Sequence, residues 1–119
     1  MLIWQKELWL IDHGASLFFH HSWVNWESHA KSPFTFIKDH VLLPQASLLR
    51  EVDADLKQIL TKEKIQSIVA LIPDEWLHWE GIEESPEALR EVYFQFLISR
   101  LTHSELFIKE AENAKDALV

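Results

Sequence analysis

The stretch LLREVDADLKQILTKEKIQSIVALIP, Leu48 to Pro73, decides how this chain folds. Its apolar residues recur at helical spacing: Leu48, Leu49, Val52, Leu56, Ile59 and Leu60 form one stripe, and Ile65, Ile68, Val69 and Ile72 form the next. Thr61 stands between them with a hydroxyl that can accept an orphan amide proton, and Pro73 stops the second run because it has no N–H to continue a helix. Two short helices are predicted to pack here. Beyond them, Asp74 can cap a further turn carrying Trp76 and Leu77, and Ser85-Pro86-Glu87 reads as a helix start with proline in the first turn. The last element carries Leu89, Val92, Tyr93, Phe96, Leu97 and Leu101, then Leu106 and Phe107, either as one long helix or as two broken near His103. Glu110, Glu112, Lys115 and Asp116 mark its final turns as solvated.

Toward the N-terminus the period changes. Leu2, Ile3 and Trp4 face Leu8, Trp9, Leu10 and Ile11 across the polar tripeptide Gln5-Lys6-Glu7, which predicts a β-hairpin. Both arms are apolar at nearly every position, so burial on two faces is expected, and a hairpin that is marginal alone needs a cover. Residues 15–43 mix Phe18, Phe19, Trp23, Trp26, Phe34 and Phe36 with histidines and small polar residues, without a sustained period. They are read as an ordered but irregular segment, broken at Ser32-Pro33. The expected fold class is thus α+β and mostly α, as a single domain over 1–119. It comprises a β-hairpin with an Asp-x-Gly motif (1–14), the aromatic-rich irregular segment (15–43) and a subdomain of four or five packed helices (44–119).

The composition narrows the function. With 119 residues, 48% of them hydrophobic, there is enough apolar material for one packed core. A formal charge of −8 repels a phosphate backbone and an anionic lipid surface, so neither nucleic acid nor membrane is an expected partner. The lack of cysteine excludes disulfides, thiolate metal clusters and thiol nucleophiles. No apolar run approaches the roughly 20 residues of a membrane span, no signal-peptide pattern opens the sequence, and a cytoplasmic location is expected. Two glycines, Gly14 and Gly81, cannot build a glycine-rich phosphate loop, and no G-x-S-x-G supplies a hydrolase nucleophile.

Asp12-His13-Gly14 follows the second apolar arm directly. A carboxylate at a rigid strand end, with glycine to turn the chain, suits a hard cation such as Mg2+, although from three residues alone a simple turn cap is the commoner role of such an Asp. His20 and His21 point to opposite sides if extended and no HExxH is present, so a histidine zinc site has little support. Glu75, Glu80, Glu83 and Glu84 around Trp76 and Trp79 read as a solvated acidic loop.

Strand, polar turn, strand and then Asp-x-Gly is the order in which protein-kinase-like folds deliver a metal-binding Asp. The runs LWLIDHGASLFFHHSW, PFTFIKDHVLLPQAS and ALREVYFQFLISRL extend the likeness over nearly the whole chain, which resembles the C-terminal part of the HipA-like kinase family of bacteria. The resemblance implies that Asp12 is the Mg2+-binding Asp, that His13 stands where other kinases have Phe, and that Gly14 is the motif glycine beside the ATP phosphates. In that family a catalytic-loop Asp and a metal-binding Asn precede the hairpin, whereas this sequence begins at Met1 without them. It also has no phosphate-covering loop and no upstream ATP-pairing lysine. Mg2+ and ATP are therefore expected in a complete kinase that phosphorylates a protein substrate, and the 119 residues alone are expected to be inactive, as a fragment or as a free-standing product. The partner implied is the missing N-terminal kinase portion. The alternative is a non-catalytic helical interaction module in which uncovered rings such as Trp4 and Trp9 drive a homodimer.

Overall fold

The computed structural model describes residues 2–10, 16, 17, 19, 23–78 and 80–118. In chain order its elements are strands β1 (Leu2–Trp4) and β2 (Glu7–Trp9), then helices α1 (Trp26–His29), α2 (Leu49–Ile59), α3 (Lys62–Val69), α4 (Pro86–Thr102) and α5 (Glu105–Asp116). Turns of 3-10 helix lie at Thr35–Asp39, Leu43–Gln45 and Asp74–Leu77. The described residues are mostly helical, and strand is confined to one short antiparallel pair.

The helices begin where side chains take up free amides. Thr61 Oγ1 accepts from the Lys64 amide at 3.2 Å, and Ser85 Oγ accepts from the Ala88 amide at 3.2 Å with Pro86 in the first turn. The long C-terminal run is two helices. His103 closes α4 with its amide on the Ser99 carbonyl at 3.0 Å and its Nδ1 2.8 Å from the same oxygen, and buried Ser104 starts α5.

The core gathers on α4. Leu89, Tyr93 and Phe96 are buried against Ile65 and Val69 of α3, against Leu77, and against Phe19 and Ala30 from the first third of the chain. Rings interlock there: Phe19 lies 4.3 Å from Phe96 and 5.3 Å from Tyr93 between centroids, and Trp23 meets both Phe19 and Tyr93 edge-on. Such tilted and edge-to-face contacts add to the area these rings remove from water. Arg90 fastens α4 to the segment after α3, donating through Nε and Nη2 to the Ile72 carbonyl at 3.2 and 2.6 Å and pairing with Asp74.

Three expectations need correction. The turn between β1 and β2 is the dipeptide Gln5-Lys6, both residues at positive φ, so Glu7 belongs to the strand and pairs with Trp4. That left-handed pair matches the twist of a two-residue connection, which glycine or asparagine usually supplies. Burial on both faces fails at the tryptophans, since Trp4 is 59% and Trp9 50% exposed. The segment 15–43 is not irregular throughout. Asn25 at φ 56° turns the chain into α1, where Ser28 Oγ bonds the Asn25 carbonyl and Ser32 Oγ the Ser28 carbonyl, and 3-10 turns follow.

Packing of the helices is uneven. No residue of α2 is buried, and Val52, Leu56 and Ile59 along its apolar stripe remain 49%, 43% and 52% exposed. Arg50 anchors its first turn to α5, with Nε and Nη2 on the Glu112 carboxylate at 2.7 and 2.5 Å and Nη1 on Glu105 at 3.1 Å.

Candidate functional site

Asp12, His13 and Gly14 lie outside the described residues, as do His20, His21 and Trp79. The described chain leads up to the motif through β2 and Leu10 and continues beyond it at Ser16 and Leu17. Among the described residues no three histidine or acidic side chains are placed to hold a metal ion. The remaining histidines have separate surroundings: His103 contacts Ser99, and His40 Nδ1 accepts from the Leu42 amide at 3.2 Å. Glu75, Glu80, Glu83 and Glu84 are exposed beside an exposed Trp76.

The concave feature that the structure does assemble is apolar. Helices α2, α3, α4 and α5, with Leu17, border an open groove of about 540 Å3 lined by residues such as Val52, Leu56, Leu60, Ile68, Leu101 and Phe107. A second hollow of about 530 Å3 continues from the shared residues Leu17, Ile68 and Leu97 toward Trp76 and Tyr93.

Besides Ser16, three polar groups stand in the groove wall. Asp53 pairs with Lys57 at 2.8 Å, and that contact, followed by the nearby Ser104 hydroxyl, holds its carboxyl below the usual aspartate range. The Ser104 hydroxyl itself is buried and closes no hydrogen bond of ordinary length. Arg100 is the third. Its guanidinium carbon lies 4.0 Å from the Phe107 ring centroid, a cation–π contact, and Nη1 donates to the His29 carbonyl at 3.3 Å. Burial lowers its basicity, and among the described residues no carboxylate pairs with it. Arg100 also borders a third hollow of about 470 Å3 beside Phe34 and Phe96.

Sequence reasoning passed over this groove. The signal was a lone cation inside an apolar helical run, Phe96-Leu97-Ile98-Ser99-Arg100-Leu101, where a charge has to be given a partner or a path to water. Comparison with protein-family models, curated protein sequences and solved structures finds no match to this chain.

Proposed function

We propose that this chain is the rear portion of a HipA-like serine/threonine kinase, a helical platform carrying the Asp-x-Gly motif of a phosphoryl-transfer site. The observation that carries the reading is the order of the sequence: LWLIDHGASLFFHHSW runs from the β2 strand into Asp12 and Gly14, and the mostly helical remainder follows it. Phosphoryl transfer works by positioning the nucleotide phosphates, metal and acceptor hydroxyl together. The motif in these 119 residues offers one carboxylate, Asp12, and that donor set does not fit Mg2+ and ATP by itself. The chain alone is therefore inactive in this reading. In a protein that also supplies a catalytic Asp, a metal-binding Asn and a phosphate-covering loop, Asp12 would contribute one metal contact.

Three measurements test this. Isothermal titration of the 119-residue chain with Mg·ATP is expected to show no tight binding, and a sub-micromolar constant or ATP turnover would overturn the inactive-platform reading. In-frame codons ahead of Met1 are expected to encode the Asp and Asn of a catalytic loop. In the product of that longer frame, Asp12→Asn should reduce phosphoryl transfer by roughly 100-fold or more, because a metal contact supplies several kcal/mol to the transition state. Full activity of that variant would refute the role given to Asp12.

A second reading is favoured by one specific observation, the area this chain leaves exposed. Its accessible surface is 9115 Å2, whereas a compact monomer of 14.0 kDa presents about 6,700 Å2. Its radius of gyration is 16.3 Å, against about 13.5 Å for a compact domain of this length. An excess of about 2,400 Å2 is what a large protein–protein interface covers, and it supports a helical interaction module that self-associates. Elution of the chain as a strict monomer at tens of micromolar would count against this.

A further inference from the structure

The interaction-module reading does not say which surface associates; besides the exposed Leu71 and Trp76, three apolar regions are exposed. Trp4 and Trp9 on the strand pair form one, and Phe34, Phe36, Val41 and Leu42 form another. Phe34 borders the hollow that Arg100 also lines, but Phe36, Val41 and Leu42 lie outside it. The third is α2, where Leu48, Val52, Leu56 and Ile59 stand exposed along one face beside the open groove. This face spans about 16 Å at 1.5 Å per residue, the length of a helix docking site.

The two charges flanking this region are complementary. In the groove wall, Arg100 is half-buried, stacks on Phe107 and has no carboxylate partner among the described residues. On the rim of α2, Asp55 lies three residues after Val52 and one before Leu56, and it is exposed with no cation partner among the described residues. Asp53, on the other flank of the stripe, is already satisfied by Lys57. One surface thus holds an apolar stripe, a carboxylate beside it, an apolar groove and a guanidinium with no carboxylate partner among the described residues. A two-fold contact needs that set, because the same patch on each copy must complement itself. A small apolar ligand suits the site less well, since such ligands are mostly enclosed and this groove is open along its length.

Resting on the interaction-module reading, we propose that two copies of this chain pair through α2, each laying Leu48, Val52, Leu56 and Ile59 over the groove of the other, with Asp55 of one copy meeting Arg100 of its partner. The contact removes both α2 stripes from water and supplies the half-buried guanidinium with a counterion.

Light scattering on eluting chain at tens of micromolar is the test. A dimer is expected, with its dissociation constant raised roughly tenfold or more by Leu56→Glu, which places a charge in the stripe. Leu56 is half-exposed, so the fold should survive this change, and unchanged helical circular dichroism checks that. Asp55→Arg and Arg100→Glu should each weaken the dimer and together restore much of it, as a charge swap does for a direct pair. Trp9→Glu should have no effect. A monomer at these concentrations overturns both this proposal and the reading beneath it. A dimer indifferent to Leu56→Glu, or lost with Trp9→Glu, overturns the α2 pairing while leaving self-association standing. No recovery in the double charge swap removes the Asp55–Arg100 contact.

Discussion

Helix α2 carries its apolar residues on one face and α4 has them nearly all round; α4 is the centre of the molecule, and α2 lies on its outside. Leu89, Tyr93 and Phe96 of α4 are buried under Phe19, Val69 and Leu77, while α2 buries no residue at all. Periodicity states which face of a helix is apolar. It does not state what covers that face, and the contrast shows how far apart those two facts can lie. Phe19 and Trp23 from the first third of the chain pack on Tyr93 of α4, while Trp4, Trp9, Phe34 and Phe36 stay exposed.

The contrast can be broken or sharpened by measurement. Phe96→Ala should be the most damaging, costing about 3–5 kcal/mol in urea unfolding because it opens a hole among Phe19, Tyr93 and Arg100; a loss near zero would mean that the ring cluster is not the core. Arg90→Ala comes next, at about 1–3 kcal/mol, since the Ile72 carbonyl loses both of its guanidinium donors. Leu56→Ala, measured in chain dilute enough to be monomeric, should change stability by only about 0.5 kcal/mol, as exposed positions do. A loss as large as that of Phe96 would erase the distinction between the two helices.

The smallest effect concerns pH. The Asp53 carboxyl is held below its ordinary value of 3.8 by Lys57 and then by Ser104. A carboxyl lowered in the folded state stabilises above the unfolded value and loses that contribution as pH falls through the folded one. Asp53→Asn should therefore lower the urea midpoint slightly at neutral pH and flatten its decline below about pH 4, so that the two proteins converge in acid. An unchanged acid slope would show that the Lys57 contact contributes nothing.

Much of the helical architecture was legible in residues that act locally. Thr61, Ser85 and Pro86 mark helix starts by satisfying or lacking an amide, and the break at His103 follows where apolar spacing falters. What escaped depends on distant partners or on very short elements. Four residues of α1 are too few to show a period, and the Gln5-Lys6 turn lacks the glycine or asparagine that announces left-handed backbone. Phe19 reads as one aromatic among many, yet it is the ring around which the core is organised, because that role is set by α4 across the fold. At the candidate site, Asp12 and Gly14 were singled out by spacing and family likeness and lie outside the described residues. Arg100 was visible as a charge in an apolar run, but the groove beside it arises only when four helices meet.

The anchoring of α2 by Arg50 has a dynamic consequence. Apart from apolar contact along one edge, the helix is held to α5 at its first turn by exposed ion pairs, which contribute little each. Local opening energies follow the burial that an element would lose. The backbone amides of α2 should therefore trade their protons with heavy water well before those of α4, through detachment of this one helix while the aromatic centre stays folded.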